Sequence, residues 1–237
     1  MKKAIFNTLL AINTIIFGSL SLVLFPFDLY TKWSVIKLWP KITIWLAKVI
    51  YGIKYKVKGL ENIPNKGAIY MSKHQSEWET FFLPTIFNRP TCYVLKKELL
   101  NIPFLGWGLR CAGHIPIDRK NPRSAMKLIL SEGMDRIKNN ANIIIFPEGT
   151  RTPVGSSKHY KKGGSFLASF SKLGAIPIAI NSGHIWSRDS KNIKSGTITV
   201  SIGPLIPSDG LSSEEHLEKV QQWIENEMRT LNPEHYV

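Results

Sequence analysis

Residues 122–151 read PRSAMKLILSEGMDRIKNNANIIIFPEGTR, and this stretch decides the fold class. Pro122–Lys138 has the length and make-up of a helix opened by a proline. Ile143–Phe146 is a short unbroken apolar run, the pattern of a strand covered on both faces. Pro147-Glu148-Gly149-Thr150-Arg151 then supplies a polar turn at the end of that strand. Helix, buried strand and functional-looking loop in succession are the signature of an α/β domain.

The same alternation extends in both directions from this segment. Further strands are predicted at Lys54–Val57, Ala68–Met71, Cys92–Leu95, His114–Ile117, Ile176–Ile180 and Thr197–Ile202. Helices are predicted over Glu77–Phe87, Pro103–Ala112, Gly164–Leu173 and Ser213–Arg229. The last opens on the capping box Ser212-x-x-Glu215 and sets Leu217, Val220, Ile224 and Met228 on one face. The expected fold is α/β, with a mostly parallel or mixed sheet flanked by helices. Residues 53–237 are assigned to this domain.

Residues 1–52 have a different character. Ala4–Phe27 contains no charged residue and follows Lys2 and Lys3, yet it leads into FPFDLY rather than a small-residue cleavage pattern. It reads as an uncleaved membrane anchor, with a buried core helix as the alternative. Residues 33–52, WSVIKLWPKITIWLAKVIYG, combine tryptophans with Lys37, Lys41 and Lys48 on one stripe, as a helix at headgroup level does. Pro40 should kink this segment. Either the anchor spans the bilayer, or the two segments enter one leaflet as a hairpin.

The whole chain of 237 residues carries 31 Lys and Arg against 17 Asp and Glu, a net charge of +14. Its partners are therefore expected to be anionic: nucleic acid, an anionic membrane or phosphorylated molecules. The anchor and the lack of any nucleic-acid-binding module exclude nucleic acid from this reading. Cys92 and Cys111 form neither a metal-ligand spacing nor a disulfide framework, which fits a reducing compartment. No metal cluster is visible.

Polar residues gather where strands are predicted to end, the usual place for sites on such sheets. His74 follows one strand and Glu148–Arg151 another. Asp118 and Arg119 close a third, and Lys96 and Lys97 a fourth. Within KHQSEWET, residues 73–80, two readings are open. Ser76-x-x-Glu79 is a capping box, with Glu77 as a favourable acid at the helix start. Alternatively, Glu79 reaches back to the His74 imidazole and makes it a general base, while Glu77 points elsewhere. The sequence contains no Gly-x-Ser-x-Gly elbow, so the nucleophile is expected on the substrate. His114 is expected to pack. His159, Lys161 and Lys162 either draw a phosphate to the helix beginning near Gly164 or form a solvated basic face.

Four blocks in order, HQSEWE, KKELLNIPFLGWGLRCAGHIPIDR, FPEGTR and AIPIAINSG, cover residues 74–183. Through them the chain resembles the 1-acyl-sn-glycerol-3-phosphate (lysophosphatidic acid) acyltransferases, a family of glycerolipid acyltransferases. The resemblance implies transfer of a fatty acyl group from acyl-CoA or acyl carrier protein to the sn-2 hydroxyl of lysophosphatidic acid, giving phosphatidic acid. It implies His74 as general base and Glu79 as its orienting acid. It places Arg151, aided by Lys96 and Arg119, on the acceptor phosphate, Glu148 and Gly149 around the glycerol, and Thr150 among the substrate-binding residues. The alternative for Glu148 is a structural one, holding its loop by hydrogen bonds to backbone. It implies no cofactor or metal beyond the acyl donor, which is a substrate. The partners expected are membrane lipid, the lysophospholipid and the donor. The expected location is a bacterial inner membrane, with the site on the cytoplasmic side. The family pattern is His-x4-Asp, and here the acid is Glu79. The alternatives are another lysolipid or glycerol-3-phosphate as acceptor, or a basic membrane-binding module without catalysis.

Overall fold

A computed structural model describes residues 1–236. Seven strands run along the chain: β1 (Ile53–Lys58), β2 (Ile69–Ser72), β3 (Thr91–Lys96), β4 (Ile115–Ile117), β5 (Asn142–Ile145), β6 (Ile176–Ile180) and β7 (Gly196–Ile202). They form one sheet in the order β1-β7-β6-β2-β5-β3-β4. Strands β6, β2, β5, β3 and β4 are mutually parallel, so their carboxyl ends share one edge. β7 runs antiparallel to β6 and parallel to β1, which makes the sheet mixed. All seven predicted strands are present, each end within one residue of its expected place.

Strand alternation sorts the core into two layers. Tyr70 and Ile144 face one cluster together with Trp78, Phe82, Ile44 and Phe6. Ile69, Met71, Ile143 and Ile145 face the other with Ile129, Leu167, Val220 and Ile224. The first layer is covered by α1 (Lys2–Leu24), α3 (Leu38–Tyr51), α4 (Trp78–Ile86) and α5 (Leu105–Cys111). The second is covered by α6 (Pro122–Lys138), α7 (Gly163–Ser171) and α8 (Ser213–Leu231). Strands β2 and β5 are neighbours, yet the helix that follows β2 lies on one face and the helix that follows β5 on the other. A crevice opens at the carboxyl ends of two such strands, and ligands bind there in open α/β sheets.

The N-terminal helices are packed onto this body. Phe6 is buried against Tyr51 and Trp186, with ring centroids 5.3 and 5.4 Å away. Gly18 lets α1 touch α5 through backbone: a Cβ there would fall 2.5 Å from the Phe104 carbonyl oxygen. The Asn13 amide donates to the Trp39 carbonyl at 3.0 Å and to Thr43 Oγ1 at 3.2 Å, while Trp39 Nε1 donates to Thr14. These bonds tie α1 to α3, as polar groups must be tied where water is excluded. The opposite side of the pair is apolar and uncovered, with Ile12, Ile16, Trp45 and Val49 all exposed. α1 thus has the composition of a membrane helix, with a mean hydropathy of 1.7, and one face inside the protein core. Instead of a kink at Pro40, the chain breaks at Lys37, between α2 (Leu29–Ile36) and α3. Pro40 then lies in the first turn of α3, where its missing N–H costs nothing.

Candidate active site

The parallel edge collects the residues singled out in the sequence. His74 follows β2, Glu148–Arg151 follow β5, Lys96 ends β3 and Arg119 follows β4. β6 adds a residue that sequence reasoning missed, Ser182, two positions beyond its end.

Glu79 sits in the first turn of α4 and is fully buried. Its Oε1 accepts from His74 Nδ1 at 3.0 Å, from the Gln75 N–H at 2.6 Å and from the Ser76 N–H at 2.7 Å. Its Oε2 accepts from the Ser182 hydroxyl at 2.7 Å and from the Ser76 hydroxyl. The Ser76 oxygen in turn accepts the Trp78 N–H at 3.1 Å, beginning the helix. The reciprocal capping box does not form: the N-cap of α4 is Glu77, without a side-chain cap bond, and only the Glu79 carboxylate's half, on the Ser76 N–H, is present. The same carboxylate contacts the imidazole. Burial pushes its carboxyl upward, but the His74, Ser76 and Ser182 bonds outweigh that and hold it below the ordinary carboxylate range. An ionised carboxylate needs a donor, so Nδ1 carries the proton and the Nε2 lone pair is free to take another.

The His74 ring stacks on Phe146, centroids 4.0 Å apart and planes 17° apart, and Phe146 stacks on Tyr93. The His74 peptide is pinned on both sides by the loop after β5. Its N–H donates to Glu148 Oε1 at 2.7 Å, and its carbonyl accepts from the Thr152 N–H at 2.8 Å and hydroxyl at 3.2 Å. Glu148 is thus turned into the protein, 1 % exposed, rather than toward the crevice. Burial pushes its carboxyl upward, against the opposing pull of the Lys73 ammonium. Gly149 has φ +70°, and a Cβ there would meet the Lys161 side chain at 2.9 Å. Thr150 is half-buried beside it.

Arg151 is half-buried, with its Nη1 3.0 Å from Glu77 Oε1 and donating to the Arg188 carbonyl, also at 3.0 Å. Glu77 points away from His74, as its helix position required. Lys96 stands at the exposed edge, 3.7 Å from Glu98. Asp118 pairs with Lys97 at 2.6 Å, so a local bridge to Arg119 does not form among the described residues. Burial lowers the Arg119 guanidinium from its ordinary value. His114 packs as expected: its Nδ1 accepts the Tyr93 N–H at 3.1 Å, and burial lowers it to about 4, so the ring is neutral. Lys162 is paired with Glu214 at 2.6 Å.

This arrangement is a polarised imidazole at the carboxyl edge of the parallel strands, the edge that also carries Lys96, Arg119 and Arg151. It suits removing a proton from a hydroxyl on an anionic substrate.

Residues 54–181 match the protein-family model described as Acyltransferase. A 1-acyl-sn-glycerol-3-phosphate acyltransferase of Pseudomonas aeruginosa is 38% identical, over 98% of this chain and 92% of its own length. A 1-acyl-sn-glycerol-3-phosphate acyltransferase of Limnanthes douglasii is 33% identical, over 84% of this chain and 70% of its own. The crystal structure of the 1-acyl-sn-glycerophosphate (LPA) acyltransferase PlsC from Thermotoga maritima superposes with a TM-score of 0.78 at 20% identity, covering 98% of both chains. At that identity the superposition speaks for the fold alone.

Proposed function

Because the chain belongs to the Acyltransferase family and is therefore an acyltransferase, we propose that it acylates the sn-2 hydroxyl of lysophosphatidic acid, making phosphatidic acid. The observation that carries this reading is the His74 Nδ1–Glu79 contact of 3.0 Å beside Arg151 and the loop that holds it. The names of the relatives supply the acceptor. Lysophosphatidic acid presents a phosphate for Arg151 to grip, with Lys96 and Arg119 adding positive charge.

In the proposed reaction His74 Nε2 takes the proton of the sn-2 hydroxyl as its oxygen attacks the thioester carbonyl carbon. The C–S bond then breaks, the ester forms, and the imidazolium returns its proton to the leaving thiolate. Glu79 stabilises the imidazolium between these steps. No acyl-enzyme, metal or further cofactor takes part. The donor is an acyl thioester of CoA or of acyl carrier protein.

The exposed apolar side of α1 and α3 enters one leaflet, and the phosphate-bearing acceptor reaches the crevice from it. Lys2, Lys3, Lys41 and Lys48 meet anionic headgroups at its border. The site faces the cytoplasm of a bacterial cell, where both donors are made.

The test is an acyl-transfer assay with purified protein in vesicles, offering each donor with lysophosphatidic acid, glycerol-3-phosphate or a phosphate-free lysolipid. Phosphatidic acid and free thiol released one for one are expected. Product from the phosphate-free lysolipid alone would shift the acceptor. Absence of product from every combination would leave only a membrane-binding module.

A further inference from the structure

Behind the site lies a buried charge cluster that the reaction above does not use. Lys73, one residue before the base, has no exposed side-chain surface. Its ammonium lies 2.8 Å from Glu225 Oε1 and 3.5 Å from Glu148 Oε2, and donates to the Ser156 carbonyl at 3.1 Å. Glu225 reaches in from α8 and also accepts the Tyr160 hydroxyl at 2.9 Å. Glu148 Oε2 has no hydrogen-bond partner, and the Lys73 ammonium 3.5 Å away is the largest influence opposing the burial of this carboxylate, ahead of the Thr152 hydroxyl and His74.

We propose that Lys73 is a positioning residue for the His74 base: clamped by Glu225, it is the counter-charge that lets Glu148 hold the His74 backbone N–H. The proposal rests on His74 being the base.

A fully buried lysine is destabilising unless paired, and a hydrophobic replacement of a buried ion pair is often no less stable. Stability alone therefore gives little reason for this cluster. Its geometry gives a better one. Adjacent residues of one chain are used twice: Lys73 points to the α8 side of the sheet, and His74 opens on the crevice. Glu148 joins them, with one oxygen on the His74 N–H and the other toward Lys73. If Glu148 loses its charge, the grip on the His74 peptide weakens, and an ångström of displacement at a catalytic group is expensive in rate. The titratable groups that face Glu148 are Lys73, His74, Tyr160, Glu225 and Tyr236. Of these, Lys73 pulls hardest against the burial that drives the Glu148 carboxyl toward its neutral form.

The experiment compares wild type, Glu225→Gln, Lys73→Met/Glu225→Gln and Glu148→Gln in the vesicle assay, across pH. Lys73→Met/Glu225→Gln removes the cation together with its clamp, leaving Glu148 alone. We expect its kcat to fall about 10-fold or more with KM for both substrates within about 3-fold, the pattern of a displaced base. The acidic limb of its kcat profile should move up by about one pH unit or more, because Glu148 now protonates earlier. Glu225→Gln keeps the cation and should keep the wild-type limb. Adding Glu148→Gln to the double variant should abolish the shift.

A double variant that melts and binds vesicles like wild type, yet keeps its kcat and its acidic limb, overturns the proposal. If the double variant fails to fold, Glu148→Gln alone decides. Lost kcat with unchanged KM supports the proposal, and a raised KM for the acceptor with unchanged kcat overturns it by putting Glu148 on substrate. Wild-type turnover, measured in parallel, separates this failure from failure of the acyltransfer reading itself.

Discussion

The Ser182 hydroxyl donates to Oε2 of Glu79 at 2.7 Å across 103 residues of chain, joining the end of β6 to the first turn of α4. The acid that orients His74 is thus fixed by a neighbouring strand as well as by its own helix. Ser182→Ala should cost about 1.5–3 kcal/mol of stability and a few-fold in kcat, the scale for a lost hydrogen bond to a charged group. Denaturant midpoints and kcat measured together check this, and an unchanged kcat would confine Ser182 to a structural role.

The same contact predicts a pH dependence of fixed sign. The Glu79 carboxyl is held below its ordinary 4.5, so the stability it contributes is complete above that value. It is lost as pH falls through the folded-state value. Ser182→Ala weakens the hold, so the stability gap between wild type and variant should be full above pH 4.5 and shrink toward acid. A gap that is flat with pH would show that Glu79 gains nothing from this hydroxyl.

Glu79→Asp should be damaging here, even though aspartate is the residue usual in the family. The carboxylate of Glu79 takes donors from His74, Gln75, Ser76 and Ser182. A side chain one methylene shorter cannot reach all of them from the same backbone. We expect lower thermal stability and at least a several-fold loss of kcat. A fully active, equally stable Glu79→Asp variant would mean that the backbone adjusts freely at this turn.

Arg151 rests 3.0 Å from Glu77, and in the proposed reaction a phosphate oxygen of the acceptor takes that carboxylate's place. Arg151→Ala should raise KM for lysophosphatidic acid with little change for the acyl donor. Glu77→Gln should lower that KM a few-fold by removing a competing carboxylate. A KM unaffected by both changes would place the phosphate elsewhere.

The two sides of α1 should behave differently. Phe6→Ala removes a ring buried against Tyr51 and Trp186 and should cost about 3–5 kcal/mol. Ile12→Glu with Ile16→Glu changes exposed positions and should leave the melting temperature unaltered while releasing the protein from vesicles. Retained vesicle binding would put the membrane contact on another surface.

The sequence was most legible where local pattern and tertiary role coincide. Ile143–Ile145 and Ile176–Ile180 are buried on both faces, and an unbroken apolar run states that directly. The capping box at Ser212 is purely local and formed as read. His74 and Glu79 were visible because the histidine lies in the turn before the helix that carries the acid. Ser182 and the Lys73–Glu225 pair were not, since their roles arise from strand order and from a helix more than a hundred residues away. Their faint signals were Ser182 two residues after a wholly buried strand and a lysine directly after another. Glu148 was assigned by resemblance to the glycerol pocket, whereas its side chain holds the His74 peptide; only the fold reveals which way a loop residue turns. The Pro40 kink became a break at Lys37 because a proline in a first helical turn needs no distortion.

The most direct test of the account is the kcat of His74→Ala for acyl transfer to lysophosphatidic acid, in vesicles to which the variant still binds. Loss of a general base predicts a fall of about 10²–10⁴-fold with the fold intact. Turnover within a few-fold of wild type would contradict the central claim that His74, oriented by Glu79, removes the acceptor's proton.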